Sequence, residues 1–326
     1  MTSLPTLLAQ ATDGTVTPPY AYLTAGWIVF LIGLIVLNYT TRTGTIARAT
    51  TKEALRQPVF FLMTGLAILL MIVNYYVPFF SMGEDTKMYI DCGLAMTLIC
   101  SLMLAVWTAS ISVAEEIDGK TAMTLLSKPI NRRQFVFGKY VGILQSSIIM
   151  ILILGGLFFF FTYFKFGYDQ GEAGTPNADI FFYRNVGWLP FQIPYLTQER
   201  FNVARTILPG LTLIAMEIGV LAAVSVAIST RMPMIVNIST CFALFVVGHL
   251  TPVIAAVPEQ NVFVSFVAQL IGTILPTLEH FNLSAAVSTG KTIPAYYMGM
   301  AGIYCVAYIT SMIMVAFLMF EDRDLA

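Results

Sequence analysis

Seven long runs of apolar residues limit what this chain can fold into. A helix needs about 20 apolar residues to cross a hydrocarbon layer of about 30 Å, and lipid offers the backbone no other hydrogen-bond partners. The runs are residues 22–39, 59–79, 92–113, 141–164, 207–228, 234–257 and 296–320. The sequence therefore predicts an all-α integral membrane protein with seven spans. An eighth run, residues 262–275, has a length typical of a re-entrant or interfacial helix.

The composition supports lipid as the surrounding medium. Charged residues make up 11 % of the chain, whereas a soluble domain carries about 25 %. The net charge of −1 lacks the basic excess of nucleic-acid-binding domains, so nucleic acid is not expected as a partner.

The distribution of Lys and Arg predicts the orientation. Cytoplasmic loops of membrane proteins carry an excess of basic residues. If the segment after the first span is cytoplasmic, eleven of the 17 basic residues lie inside, including every dense cluster. The N-terminus is therefore expected outside and the C-terminus in the cytoplasm.

Two segments between spans have patterns of their own. Residues 44–57 predict an amphipathic helix, because Arg48, Lys52 and Arg56 form one stripe and Pro58 follows. Its basic face is expected to meet anionic headgroups, with a solvated linker as the alternative. The outer loop, residues 167–205, is rich in proline and aromatic residues that favour the headgroup level, and it is too short for an enzyme domain.

Residues 114–139, between the third and fourth spans, form what we call the coupling segment. Gly119 permits a break in the chain, residues 120–128 can form a short helix, and Pro129 ends it. Asn131 with Gln134 three residues later predicts an N-cap box for the next helix. A stiff helical segment at the membrane surface is expected.

This segment resembles the permeases of type-2 ABC exporters, a family that includes bacterial drug, polysaccharide and copper-enzyme-maturation permeases. The resemblance covers residues 44–326, and the additional span in residues 1–43 departs from the family pattern. The matching residues are Glu116, Gly119, Thr121, Leu125, Leu126, Ser127, Pro129, Arg132, Arg133, Gly138 and Lys139.

The resemblance implies a six-span exporter core with a coupling helix and an outer re-entrant segment, plus the N-terminal span. The coupling helix would sit in a cleft of a separate ATPase subunit, which binds the ATP, while this chain binds no cofactor. The permease would pair with itself or with a paralogous permease in a bacterial cell (inner) membrane, and would export an amphipathic or hydrophobic substrate. The alternative interpretation is an ordinary basic loop that only orients the protein.

Two segments imitate part of a nucleotide-binding P-loop, at residues 119–121 and 290–292. A P-loop needs a glycine five positions before the glycine of the Gly-Lys pair, and these positions hold Ala114 and Ala285. No pattern of a metalloprotease or a serine hydrolase is present in the sequence. The chain is therefore expected to be a transport subunit rather than an enzyme, and His249 is expected to help helices pack.

Glu217 lies in the middle of the fifth run, where an ionised carboxylate is costly. It is expected either to take part in translocation or to hold packing together by a hydrogen bond. An ion-coupled secondary transporter that uses Glu217 is the rival hypothesis, although the internal repeat of many such transporters is not apparent in the sequence. A membrane scaffold without a transport function is a third hypothesis.

Overall fold

The computed structural model describes residues 20–77, 85–115, 131–172, 180–185, 192–255, 275–291 and 293–321. Its α-helices and strands, in chain order, are α1 Tyr20–Thr40, α2 Arg42–Arg56, α3 Pro58–Tyr76, α4 Asp85–Ala109, α5 Arg132–Glu172, β1 Phe181–Asn185, β2 Gln192–Leu196, α6 Gln198–Arg205, α7 Ile207–Ser229, α8 Met234–Ala255, α9 Ser284–Ser288 and α10 Ala295–Glu321. A π-helical turn, Ser110–Glu115, follows α4, and a 3₁₀ turn, Leu278–Phe281, precedes α9.

The predicted spans 22–39, 141–164, 207–228 and 296–320 each lie within one α-helix, and span 92–113 continues from α4 into the π-helical turn. Spans 59–79 and 234–257 begin in α3 and α8, and residues 78–79 and 256–257 lie outside the described ranges. Within the described ranges, six helical stretches are long and apolar enough to cross a membrane, and Met234–Leu250 in α8 is a shorter apolar helix. The six are Tyr20–Thr40, Pro58–Tyr76, Asp85–Val113, Arg132–Gly171, Gln198–Ser229 and Ala295–Glu321. The chain is thus a helical membrane protein, as the apolar runs predict.

The core of the bundle is built around α7, which contacts α4, α5, α8 and α10. Most of its side chains are buried, and Gly210 and Gly219 let neighbouring side chains approach the helix closely. The N-terminal helix α1 is the opposite case, since none of its residues is buried. The additional span therefore lies at the edge of the bundle.

Helix α5 has 41 residues and extends beyond the predicted fourth span at both ends. Hydropathy detects only the part of a helix that suits lipid, whereas the backbone hydrogen bonds continue into the polar residues on either side. At its far end, Lys165 and Asp169 form an ion pair of 2.8 Å within the helix.

The amphipathic helix is present as α2, two residues earlier at its start than predicted. Thr41 caps it by accepting a hydrogen bond from the Gly44 N–H at 3.0 Å. The helix ends at Arg56, and Pro58 is the first residue of α3, where its missing N–H costs nothing.

The predicted outer loop contains regular structure. The end of α5 and all of α6 lie in it, and β1 pairs antiparallel with β2, with Phe181 opposite Leu196. The Tyr163 hydroxyl donates to the Ile180 carbonyl and accepts from the Thr197 N–H, so both outer ends of the hairpin are held by α5.

Several predictions fall on residues outside the described ranges. They concern the coupling-segment residues Glu116, Gly119, Thr121, Leu125, Leu126 and Pro129, and the re-entrant run at residues 262–274. The described part of the coupling segment consists of residues 114–115 and 131–139.

Candidate functional site

Helix α2 packs against the first turns of α5 through two glycines. A Cβ on Gly138 would lie 2.8 Å from Ile46 Cβ, and a Cβ on Gly142 would lie 2.6 Å from Thr50 Cβ. Real Cβ atoms do not come so close, so only glycine permits this approach, as in small-xxx-small helix pairs. Helix α5, whose first turns end the coupling segment, is therefore in backbone contact with the amphipathic helix.

A buried polar chain strengthens this contact. Thr51 donates to the Gln145 side-chain oxygen at 3.0 Å, and the Gln145 amide donates to Asn38 at 3.0 Å. These three residues come from α2, α5 and α1. The first bond is buried and the second is partly buried, and together they link the three helices.

The basic stripe of α2 is exposed, as the spacing predicts. Arg48, Lys52 and Arg56 all point away from the buried face, which consists of Gly44, Ala47, Thr50, Thr51 and Ala54. The guanidinium of Arg48 lies 4.8 Å from the Tyr39 ring centroid. The sequence analysis did not predict that this buried face packs on α5.

The first turn of α5 also holds the end of α10. Arg132 donates to the Glu321 carbonyl at 3.1 Å, and Arg231, in the turn after α7, donates to the Met319 carbonyl at 2.8 Å. Cations are favourable at a helix C-terminus because the last carbonyls lack partners within the helix. Four elements therefore meet at what we call the basic end of the bundle: α2, α5, α10 and the turn after α7.

Arg133 stabilises this end of the bundle less than Arg132 and Arg231 do. It forms a 3.4 Å ion pair with Glu321, and the two side chains are 70 % and 58 % exposed, so water screens the attraction. The predicted N-cap box is present in one half, since the Gln134 side chain accepts from the Asn131 N–H at 3.3 Å. A cavity of about 340 Å³ lies between these residues and Phe317.

The π-helical turn that leads into the coupling segment is hydrogen-bonded to the bundle core. The Asn237 amide donates to the hydroxyls of Ser110 at 2.8 Å and Ser225 at 2.9 Å, and all three residues are buried. Asn237 thus joins α8, the π turn and α7. π turns are common at functional positions and at hinges, since they break the regular helical hydrogen bonding.

Glu217 lies away from the basic end, at the middle of α7. It is 1 % exposed, and its Oε1 lies 3.6 Å from Nε2 of His249 in α8. The other His249 nitrogen, Nδ1, lies 3.0 Å from the Phe245 carbonyl and can donate to it. The carboxyl and the imidazole therefore face each other at a distance slightly longer than a hydrogen bond.

The Glu217–His249 pair lines a cavity of about 350 Å³ between α4, α7, α8 and the segment around the 3₁₀ turn. Asp91 of α4 lines the same cavity, together with apolar side chains such as Leu98 and Phe281. We call it the Glu217 cavity. The sequence analysis identified Glu217 but missed Asp91 and the place of His249.

A second cavity, of about 450 Å³, lies between α1, α7 and α10. Its lining is almost wholly apolar, and the Trp27 indole N–H that borders it donates to Thr212 at 2.9 Å. This bond is a direct link between the additional span and the core. The cavity offers a ligand apolar contact and little else.

The end of the bundle opposite the basic end contains a buried ionic cluster. Lys165 is 2 % exposed and pairs with Asp169, which also accepts from Thr86 of α4. Arg200 of α6 is 5 % exposed and lies against Gly167, where a Cβ would come 2.1 Å from its Cζ. This cluster joins α4, α5 and α6.

The described residues contain no group of three or more His, Cys, Asp or Glu side chains placed to hold a metal ion. No protein-family model matches the chain, and no curated protein matches it in sequence.

Proposed function

We propose that this chain is the transmembrane subunit of an ATP-driven type-2 ABC exporter, working with a separate ATPase subunit. The observation that carries the proposal is the contact of Gly138 and Gly142 with α2. It joins the amphipathic helix rigidly to α5, whose first turns end the coupling segment, and this segment is where an ATPase would have to push.

The contacts at both ends of the coupling segment support this role. On one side the π turn is held to the core by Asn237, and on the other side Arg132 holds the end of α10. A force on the segment between them would reach α2, α5 and α10 together. Helices that move as packed units are a usual way to turn a local push into a change at a distance.

The proposed assembly has two permease chains, identical or paralogous, and two ATPase subunits in a bacterial cell membrane. The N-terminus lies outside, and the basic end faces the cytoplasm, where α2 lies beside anionic headgroups. ATP binds to the partner subunits, and an amphipathic or hydrophobic substrate leaves outward.

Purification from native membranes tests the proposal. The tagged chain, extracted in mild detergent, should retain a separate subunit with an intact P-loop. Vesicles containing this complex should hydrolyse ATP in a vanadate-sensitive manner. A chain that copurifies with no ATPase, and whose vesicles hydrolyse no ATP, would contradict it.

One observation favours a second candidate, an ion-coupled secondary transporter. Glu217 and His249 lie 3.6 Å apart inside the membrane-spanning region, where such pairs often carry protons. This function predicts uptake or release driven by an imposed proton gradient in vesicles that contain the chain alone. The exporter predicts none without the ATPase and ATP.

A further inference from the structure

The Glu217 cavity contains a polar atom that lacks a partner within the described part of the chain. Glu217 Oε1 is buried and accepts no hydrogen bond there, and His249 Nε2 lies 3.6 Å away. A buried acceptor without a donor costs about 1–3 kcal/mol, and more if it is charged. The carboxyl therefore favours a ligand that brings an N–H donor.

The charges that face this carboxyl exclude an anionic ligand. The described lining holds two acids, Glu217 and Asp91, and one base, His249. Glu279, in the 3₁₀ turn packed against α8, adds a further acid close by. Acids outnumber bases whether or not the imidazole is protonated, so the site attracts positive charge.

The size and the walls of the cavity exclude a bare metal ion as its natural occupant. A volume of about 350 Å³ falls in the range of about 300–1,000 Å³ typical of small-molecule sites. The remaining lining is mainly apolar and includes Leu94, Ile214 and Phe245. An ion alone would leave these walls without contacts.

We propose that the Glu217 cavity binds a lipophilic amine in its protonated form. The ammonium group donates to Glu217 Oε1, and the apolar body packs against Leu94, Ile214 and Phe281. Asp91, which also lines the cavity, adds attraction for the positive charge. Binding is a property of this chain alone, whereas use of the cavity as the export site rests on the proposed function.

The test uses two rigid probes of the same shape, adamantan-1-amine and adamantan-1-ol. The purified full-length chain in lipid nanodiscs, without an ATPase, is titrated with each probe in a filter-binding assay with tritiated ligand. We expect the amine to bind at least about tenfold more tightly than the alcohol. Equal affinity for the two probes would overturn the proposal, because the carboxyl would then play no part.

Glu217→Gln tests the residue, and Glu199→Gln is the matched control, since Glu199 is exposed on α6 and outside the cavity. Glu217→Gln should weaken binding of the amine at least about tenfold and leave the affinity for the alcohol unchanged. Glu199→Gln should alter neither. An amine affinity unaffected by Glu217→Gln would place the site elsewhere and overturn the proposal.

A second variant tests the cavity without touching the carboxyl. Ala95 lines the cavity and is exposed, so Ala95→Trp closes the cavity from its rim without disturbing the core. Both probes should then lose binding. Retention of amine binding in Ala95→Trp would show that the amine binds outside this cavity, even if Glu217→Gln failed to fold.

Discussion

Gly138 of α5 lies so close to Ile46 of α2 that a Cβ on the glycine would stand 2.8 Å from the Ile46 Cβ. The contact joins the amphipathic helix to the part of α5 that lies in the coupling segment. It makes α2 part of the packed bundle and leaves its basic stripe exposed. The proposed transmission of force depends on this contact.

Substitution of the two glycines should loosen α2. Gly138→Ala and Gly142→Ala each force a shift of backbone or of a β-branched side chain, because carbonyls lie at 3.0 Å and 2.8 Å in addition to the side chains. We expect each to lower stability by about 1–3 kcal/mol. The measurement is the midpoint of heat-induced loss of the monodisperse peak in size-exclusion chromatography.

Gly156→Ala is the matched control, since it lies in the same helix and a Cβ there would meet nothing within 4 Å. It should leave the midpoint unchanged or raise it slightly, because alanine has the higher helix propensity. If Gly138→Ala behaves like Gly156→Ala, α2 does not pack on α5 as described.

The buried pair of Lys165 and Asp169 should be sensitive to removal of one partner. Lys165→Met leaves the Asp169 carboxylate largely buried without its cation, which costs about 3–5 kcal/mol in comparable cases. Arg133→Met breaks the exposed pair with Glu321 and should cost about 1 kcal/mol or less. Equal effects on the thermal midpoint would show that the Lys165 pair is not buried.

Asn237 should be a larger contributor to stability than an exposed hydroxyl. Asn237→Leu removes both bonds from the amide to Ser110 and Ser225, and the buried hydroxyls lose a donor. We expect a loss of about 1–3 kcal/mol. Thr310→Val is the control, since this exposed hydroxyl donates to the Val306 carbonyl of its own helix. A similar midpoint in both variants would contradict the role of Asn237.

The helices could be predicted from the sequence because hydropathy is a local property. Nearly all described residues of the seven predicted spans are helical, and the spacing of Arg48, Lys52 and Arg56 shows the exposed face of α2. Helix ends were less predictable, since α5 continues through polar residues that hydropathy excludes. The outer hairpin was missed because aromatic residues at a membrane surface do not reveal strand pairing.

The contacts between distant residues could not be predicted. Thr51 and Gly142 are 91 positions apart, and a single histidine such as His249 forms no motif with Glu217. One signal was available: glycines four residues apart, at 138 and 142, indicate a close helix contact. The sequence does not show which helix packs against these glycines, because many helix faces in this chain carry small residues.

The proposed orientation can be measured by cysteine labelling in a variant without the native cysteines. Lys52 and Glu199 are both exposed, one on α2 and one on α6. In intact cells, a membrane-impermeant maleimide should label Glu199→Cys and should label Lys52→Cys only after permeabilisation. The reverse pattern would place the basic end outside and would contradict the positive-inside assignment.

The central claim is that an ATPase acts on the coupling segment, and retention of that ATPase tests it most directly. Leu125→Asp with Leu126→Asp places two charges in a contact that would be partly desolvated, which is costly without partners. The matched control is Tyr195→Asp with Leu196→Asp, an adjacent pair exposed on β2.

The measured quantity is the vanadate-sensitive ATP hydrolysis that stays with the tagged chain after detergent purification, per mole of folded permease. The account predicts loss of at least about nine tenths of this activity in the Leu125 and Leu126 variant, and wild-type activity in the Tyr195 and Leu196 control. Wild-type ATPase retention in both variants would contradict the account, and the segment would then be a loop whose charge only orients the protein.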